Sequence, residues 1–177
     1  MNFESSDIEL DVATLSAHLK SAFSYWLAIK EQRTQPLWSD VDMMALPLEV
    51  LPWCSVMDVM LGADDFRVRF WGTERSRLQG SDYTGKLVSE FYPSQVSKKV
   101  LNESKKVVEQ QRPLLFETKL FSDDLQSSIS YKMLRLPFGN AENVDIIMSV
   151  PEFPQNTKSI YEWLGTEVPI SVLRNND

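Results

Sequence analysis

The sequence contains little of what disulfides, zinc sites and membrane anchors require. It has one cysteine, Cys54, and one histidine, His18, among 177 residues. These numbers exclude internal disulfides and the cysteine- or histidine-rich zinc sites, so no metal site is expected. No apolar run reaches the roughly 18 residues of a membrane-spanning helix, and the acidic N-terminus lacks the basic start and apolar segment of a secretory signal. We therefore expect a cytoplasmic protein without membrane insertion.

The charge balance is acidic. Lysine and arginine total 18, aspartate and glutamate total 25, and the formal net charge is −7. Binding to a phosphate backbone needs a basic surface, so no nucleic-acid partner is expected. Apolar residues make up 43% of the chain and charged residues 24%, as in ordinary soluble globular proteins.

The first strong pattern is helical. Apolar residues recur at three- and four-residue spacing between residues 14 and 32, which predicts an amphipathic helix. The polar residues 1–11 before it are predicted to be frayed. The apolar stripe has two interpretations, packing onto the chain's own core or a dimer contact. The residues proposed for the dimer contact are Leu19, Phe23 and Trp26.

The rest of the chain predicts an α+β fold. Five segments have the alternation or length of strands, and short linkers between the last three indicate an antiparallel meander. The expected fold is a five-stranded antiparallel sheet with short helices and one longer helix inserted between strands 2 and 3, plus the N-terminal amphipathic helix. The predicted strands are 53–60, 66–71, 114–121, 129–136 and 144–150, and the inserted helices are 74–79, 87–92 and 94–111.

Composition divides the chain into three parts. Residues 1–35 form the N-terminal helical extension, and residues 36–150 form the central domain, which opens with a lead-in rich in proline and leucine. Residues 151–177 form a C-terminal tail interrupted by prolines, in which 158–164 is predicted to be a short amphipathic helix.

Two glycine motifs follow one another in the central domain. Phe66–Thr73 ends a strand in Gly-Thr, and Gly80–Lys86 contains Gly-x-x-x-x-Gly. A Tyr25-Trp26 pair, Asp58 in the first strand and Leu136-Pro137 in a late strand stand in order around them. Together these motifs resemble the signature of a bacterial stand-alone subfamily of the PAS domain family. The resemblance implies a PAS fold and a sensory or regulatory role.

Five residues of these motifs are predicted to be structural. Gly80 and Gly85 suit positive φ angles at a helix end and a turn, and Gly72 joins a strand to a helix. Asp58 lies in the first strand of the predicted hairpin, where an ion pair with Arg67 or Arg69 of the second strand is expected.

The resemblance permits several cofactors, and the residues exclude two of them. A haem would need a histidine on the longer inserted helix, and that helix has none. A photoreactive flavin would need a cysteine in the helical segment, whereas Cys54 begins a strand. We therefore expect no haem or covalent flavin. An apolar interior remains, which either is filled by side chains or holds a small apolar ligand. Its expected lining is Phe70, Leu87, Phe91, Val100, Phe116 and Met133.

The expected function is non-catalytic, because a Ser-His-Asp or Cys-His set needs a histidine near its nucleophile and His18 lies outside the central domain. The protein is then expected to act by association, as a homodimer and with an unidentified signalling protein. The alternative is a small α+β enzyme with a cone-shaped cavity that uses Asp58 with Arg69, or Glu74 with Arg77. A third hypothesis is an adaptor that binds an acidic partner through the Lys98–Lys106 helix face.

Overall fold

The computed structural model describes residues 2–121 and 128–153, which form one six-stranded antiparallel sheet and three α-helices. Most of the linker between the predicted strands 114–121 and 129–136, and the predicted helix at 158–164, lie outside the described residues. The strands are β1 (Asn2–Ile8), β2 (Ser55–Val59), β3 (Phe66–Trp71), β4 (Leu114–Phe121), β5 (Ser128–Gly139) and β6 (Val144–Glu152). The helices are α1 (Ala17–Lys30), α2 (Thr73–Gln79) and α3 (Ser94–Gln110).

The α+β prediction is confirmed. The strand order is β1-β4-β5-β6-β2-β3, and every neighbouring pair is antiparallel. The last three strands form the predicted meander, and the helices α2 and α3 lie between β3 and β4 in the chain. β3 and β4 have the predicted bounds, whereas β5 and β6 are longer than predicted.

The strand count of five is wrong, because the N-terminal segment predicted to be frayed is strand β1. It pairs with β4 from Asn2 opposite Phe121 to Ile8 opposite Leu115. Its central residues Glu4, Ser5, Ser6 and Asp7 are exposed or polar and have low strand propensity, so the sequence carries no strand pattern. The free edge of β4 supplies the backbone partners that make this segment a strand.

Each face of the sheet has its own apolar core. On one face α1 packs with Leu19 and Trp26 against residues such as Leu134 and Leu136 of β5. On the other face α3 packs with Val100 and Val107 against residues of β2 to β6. Both faces of the central strands are therefore buried.

The proposed dimer contact through α1 is wrong, because its residues belong to the chain's own core. Leu19, Phe23 and Trp26 are 0%, 8% and 2% exposed. The indole Nε1 of Trp26 donates a buried hydrogen bond to the carbonyl of Pro137, with an N–O distance of 2.7 Å. Side chains at this depth have no surface to offer a second copy. Homodimerisation itself stays a prediction.

Replacing Trp26 by phenylalanine is expected to lower the free energy of unfolding by about 1–3 kcal/mol, because the buried Pro137 carbonyl loses its donor. Urea unfolding measures this difference. Tyr25→Phe is the control, since it removes an exposed hydrogen bond, from the Tyr25 hydroxyl to the Asp42 carbonyl. It should change the free energy of unfolding by less than about 0.5 kcal/mol. A smaller native mass for Trp26→Phe by light scattering would restore α1 as the dimer contact.

Glycines set the entry and exit of α2. Gly80 ends the helix with φ of 67°, and Gly85 has φ of 84° in the following turn, as predicted for both. The helix begins at Thr73, one residue before the predicted start, and Gly72 is its N-cap. Gly72 lies against the backbone of the lead-in, where its amide donates to the carbonyl of Cys54 at 2.9 Å.

Candidate functional site

Four charged side chains are buried on the α3 side of the sheet. Arg75 of α2, Lys99 and Glu103 of α3, and Arg135 of β5 are 6%, 8%, 4% and 1% exposed. Arg135 shares this face with Met133 because alternate residues of a strand point the same way. Lys99 and Glu103 are neighbours because they are four residues apart on a helix. We call this set the buried charge cluster.

Glu103 is the centre of the buried charge cluster. Its carboxylate accepts from Nη2 of Arg135 at 2.6 Å and from Nε at 3.1 Å, and Nζ of Lys99 lies 3.0 Å from Oε1. Ser5 of β1 donates to the same carboxylate at 2.5 Å. Arg135 also donates to the hydroxyl of Ser149 at 2.7 Å.

The surroundings of Glu103 keep it ionised. Burial by itself raises the pKa of the Glu103 carboxyl, but the charges of Arg135 and Lys99 and the hydrogen bond from Ser5 outweigh burial and bring the pKa to about 2. A buried carboxylate is stable only when its lone pairs are satisfied by donors in this way.

Among the residues that the structure describes, Arg75 has no comparable partner. Its guanidinium carbon lies 4.3 Å from the centroid of the Trp71 ring, and no described residue accepts a hydrogen bond from its buried Nε and Nη1 atoms. Burial, and next the positive charge of Arg135, lower the pKa of Arg75 to about 10. Because this value is still well above neutrality, Arg75 remains a cation in the interior.

An aromatic wall lies next to Arg75. Trp71 packs on Tyr83 with ring centroids 5.2 Å apart, and on Phe91 at 5.7 Å. Tyr83 and Phe91 are 4.5 Å apart, so the three rings form one cluster. Within the described part of the chain, the indole Nε1 of Trp71 is also buried without a partner, as are the amide oxygen of Gln79 on α2 and the hydroxyl of Ser104 on α3. The interior therefore combines apolar walls with unpaired polar atoms, both donors and acceptors.

An open groove lies on the same side of the sheet, between β1 and α3. It has a volume of about 860 Å³, and its walls include Ser5, Lys98, Lys99, Glu103 and Phe116. Lys99 and Glu103 thus separate the groove from Arg135, which contacts Glu103 from the interior. The groove can admit a small molecule as far as the outer members of the buried charge cluster.

The structure brings together four of the six residues predicted to line a pocket. Phe91, Val100, Phe116 and Met133 belong to the apolar core on the α3 side. Phe70 does not join them, because it packs against the core on the α1 side of the sheet. Leu87 lies in neither core and forms an isolated bridge to Arg67. The predicted lining lacked the four charged residues, which the structure buries on the same side of the sheet.

The charged pairs of the enzyme hypothesis do not face the interior. Asp58 lies 2.6 Å from Nη2 of Arg69, with side chains 30% and 46% exposed, and Arg69 packs over Trp38 on the α1 side. Glu74 and Arg77 pair at 3.1 Å on the exposed surface of α2. The enzyme hypothesis is therefore wrong for these two pairs.

Sequence reasoning missed the buried charge cluster. It placed Lys99 on the Lys98–Lys106 helix face that the adaptor hypothesis offers to an acidic partner, whereas Lys99 and Glu103 are both buried, and Lys106 of that face is paired with Asp7 at 2.6 Å. One signal was available: Arg135 stands between Leu134 and Leu136 in an apolar strand. A charged residue in such a position needs a buried partner.

Over the residues that the structure describes, no helix combines the length and apolar character needed to cross a membrane. Within the same residues, no group of three or more histidine, cysteine, aspartate or glutamate side chains is placed to hold a metal ion.

Comparison with known proteins identifies one family. A family model described as a PAS domain matches residues 15–149. Nothing among the curated proteins matches the sequence. A solved structure with similarity is that of an RNA-binding light-oxygen-voltage receptor, at 11% sequence identity and a TM-score of 0.40. That alignment covers 97% of this chain and 43% of the receptor chain, so the chain spans less than half of the receptor's length.

Proposed function

Because the chain belongs to the PAS domain family, we propose that it is a non-catalytic sensory or regulatory module that binds a small molecule on the α3 side of its sheet. We propose further that it signals by association with another protein or with a second copy. The family membership supports the regulatory role. The buried charge cluster and the groove beside it support the location of the ligand.

A continuous set of hydrogen bonds carries this proposal, because it joins the interior to an edge of the sheet. Ser149 of β6 accepts from Arg135, Arg135 donates to Glu103, and Ser5 of β1 donates to Glu103. A molecule that displaces Arg135 or Glu103 shifts the Glu103 carboxylate, to which Ser5 donates its hydrogen bond. Binding in the interior therefore alters how firmly β1 is attached.

Strand β1 is the proposed contact with the partner. It pairs with β4 on one side and stands at the edge of the described sheet. An edge strand presents unpaired backbone N–H and C=O groups, to which another strand can add. This surface replaces the α1 residues as the proposed homodimer contact. The net charge of −7 favours a protein partner over a nucleic acid.

Native mass spectrometry tests ligand binding. The purified chain, before or after incubation with the small-molecule fraction of a cell lysate, is expected to carry a bound molecule, and the same spectra report the subunit number. Hydrogen exchange then compares the bound chain with the chain stripped by unfolding and refolding. The amides of β1 are expected to exchange at different rates in the two samples.

Two serine variants test the route to β1. Ser5→Ala removes the hydrogen bond to Glu103 and is expected to abolish the ligand-dependent difference in β1 exchange. Ser6→Ala is the matched control, because the next residue points to the opposite face and should keep the difference. The proposal would be contradicted by a native mass equal to that of the polypeptide alone in both preparations. Amide exchange rates in β1 that are the same with and without bound ligand would contradict it as well.

A further inference from the structure

We propose that the groove between β1 and α3 binds an extended segment of a partner protein, which adds as a strand to the outer edge of β1. The segment places an apolar and an acidic side chain in the groove, two positions apart. This inference rests on the proposed function, because it states which kind of partner the β1 contact takes. It is carried by the difference between the two edges of the sheet, the course of the groove along β1, and the charges on its walls.

The two edges of the described sheet differ in what covers them. At the β3 edge, the amide of Val68 donates to the carbonyl of Lys86 at 2.9 Å. The amide of Gly85 donates to the carbonyl of Val68 at 2.8 Å, so the turn after α2 covers the backbone of β3. β1 pairs with β4 on one side, and no described backbone pairs with its other side. A seven-residue edge of this kind accepts another strand.

The groove runs along this edge, because alternate residues of β1 and one face of α3 form its walls. Phe3, Ser5 and Asp7 are two residues apart, so they share the α3 side of the strand. Ser5 donates to Glu103 at 2.5 Å, and Lys106 lies 2.6 Å from Asp7, so α3 and β1 run in the same direction. A strand added to β1 points every second side chain to that side, and therefore into the groove.

The end of the groove near Phe3 is aromatic. Phe3 and Phe121 are half-buried walls of the groove, and Phe121 lies opposite Asn2, the neighbour of Phe3. Because α3 and β1 run in the same direction, Lys98 reaches the groove at this end as well. Partly exposed rings favour contact with an apolar side chain, which removes the rings and itself from water.

The charges on the walls favour an acidic residue beside the apolar one. Lys106 and Lys99 are each paired with a carboxylate of β1 or α3. Glu4, a further carboxylate of the groove, lies opposite Lys119 of β4. Lys98 is exposed and forms no ion pair within the described part of the chain. A carboxylate of the partner complements this charge. Since residues two apart share a face of a strand, the apolar and the acidic residue stand at that spacing.

Two synthetic peptides of equal composition test the spacing. In acetyl-STTLTETTS-amide, leucine and glutamate face the same side of a strand, whereas in acetyl-STTLETTTS-amide they face opposite sides. The full chain is expected to bind the first peptide at least about fivefold more tightly, because only that peptide places both side chains in the groove. Isothermal titration measures both affinities. Hydrogen exchange with the first peptide should protect every second amide of β1, since an edge strand directs alternate N–H groups away from its neighbour.

A charge reversal tests the contact with Lys98. Lys98→Glu is expected to weaken binding of the first peptide at least about fivefold, and to bind acetyl-STTLTKTTS-amide more tightly than the wild-type chain does. A change that merely damaged the fold would not produce this second effect. Lys105→Glu is the matched control, because Lys105 lies on the same helix, is 41% exposed and pairs with Asp64 outside the groove. It should change the affinity by less than about twofold.

The outcomes separate this inference from the proposed function. Equal affinity for the two peptides, binding of neither, or binding without protection of β1 would overturn the added strand. Unchanged affinity in Lys98→Glu would overturn the acidic residue. A two-chain native mass that the first peptide does not reduce would make a second copy the occupant, and faster exchange at residues 154–177 with the peptide would make it the chain's own segment. Either result would overturn the partner protein. The proposed function fails by another result, a native mass equal to that of the polypeptide alone in every preparation without peptide.

Discussion

Replacing Glu103 by glutamine is expected to lower the free energy of unfolding at neutral pH by about 3–5 kcal/mol. Glutamine keeps the shape of the side chain and removes its charge. Arg135 and Lys99, 1% and 8% exposed, then remain buried as cations without a counter-charge. Urea unfolding of both proteins measures the loss.

Glu109→Gln is the matched control for this substitution. Glu109 lies on the same helix and is exposed, so its replacement should change the free energy of unfolding by less than about 0.5 kcal/mol. A similar small effect for Glu103→Gln would mean that the carboxylate does not compensate Arg135, and the buried charge cluster would lose its centre.

The stability that the Glu103 carboxylate contributes should also decrease as the pH falls. Its folded pKa of about 2 lies below the ordinary value of 4.5, so the unfolded chain binds the proton more readily. The stability that Glu103 contributes is therefore complete above pH 4.5 and is lost as the pH falls toward about 2. The difference between wild type and Glu103→Gln should shrink over this range. A difference that stays constant there would contradict the assignment.

The elements that the sequence predicted correctly have a pattern set by their own residues. β3 alternates apolar Phe66 and Val68 with arginines, and its bounds were predicted without error. Strand β1 has no such pattern, because Ser5 and Ser6 and their acidic neighbours form a strand only by pairing with β4. Local patterns report which positions suit a core, and they carry no information on partners far along the chain.

The buried charge cluster escaped prediction for the same physical reason. Lys99 and Glu103 have the spacing of an ordinary surface ion pair, and burial alone distinguishes the two cases. Their burial follows from Arg135, which reaches Glu103 from a strand 32 residues away in sequence. Arg75 likewise has a polar sequence environment on α2, and only the packing of Trp71 places it in the interior.

Replacing Gly72 by alanine is expected to lower the free energy of unfolding by at least about 3 kcal/mol. A Cβ atom at this position would lie 2.2 Å from the carbonyl oxygen of Pro52 and 2.9 Å from that of Cys54. Both neighbours are backbone atoms, and the Pro52 carbonyl also accepts from the amide of Glu74 at 2.9 Å. The backbone at Pro52 and Cys54 must therefore move away from the start of α2 to admit one methyl group.

Gly85→Ala provides the comparison, because a Cβ at Gly85 has space but the backbone there has a positive φ. No atom of the described residues lies within 4 Å of a Cβ at Gly85, but the φ of 84° at Gly85 is unfavourable for alanine. Its cost should be about 1–2 kcal/mol, from the backbone alone. Gly72→Ala should exceed this cost. Equal destabilisation by the two substitutions would show that the lead-in does not hold α2 against the sheet.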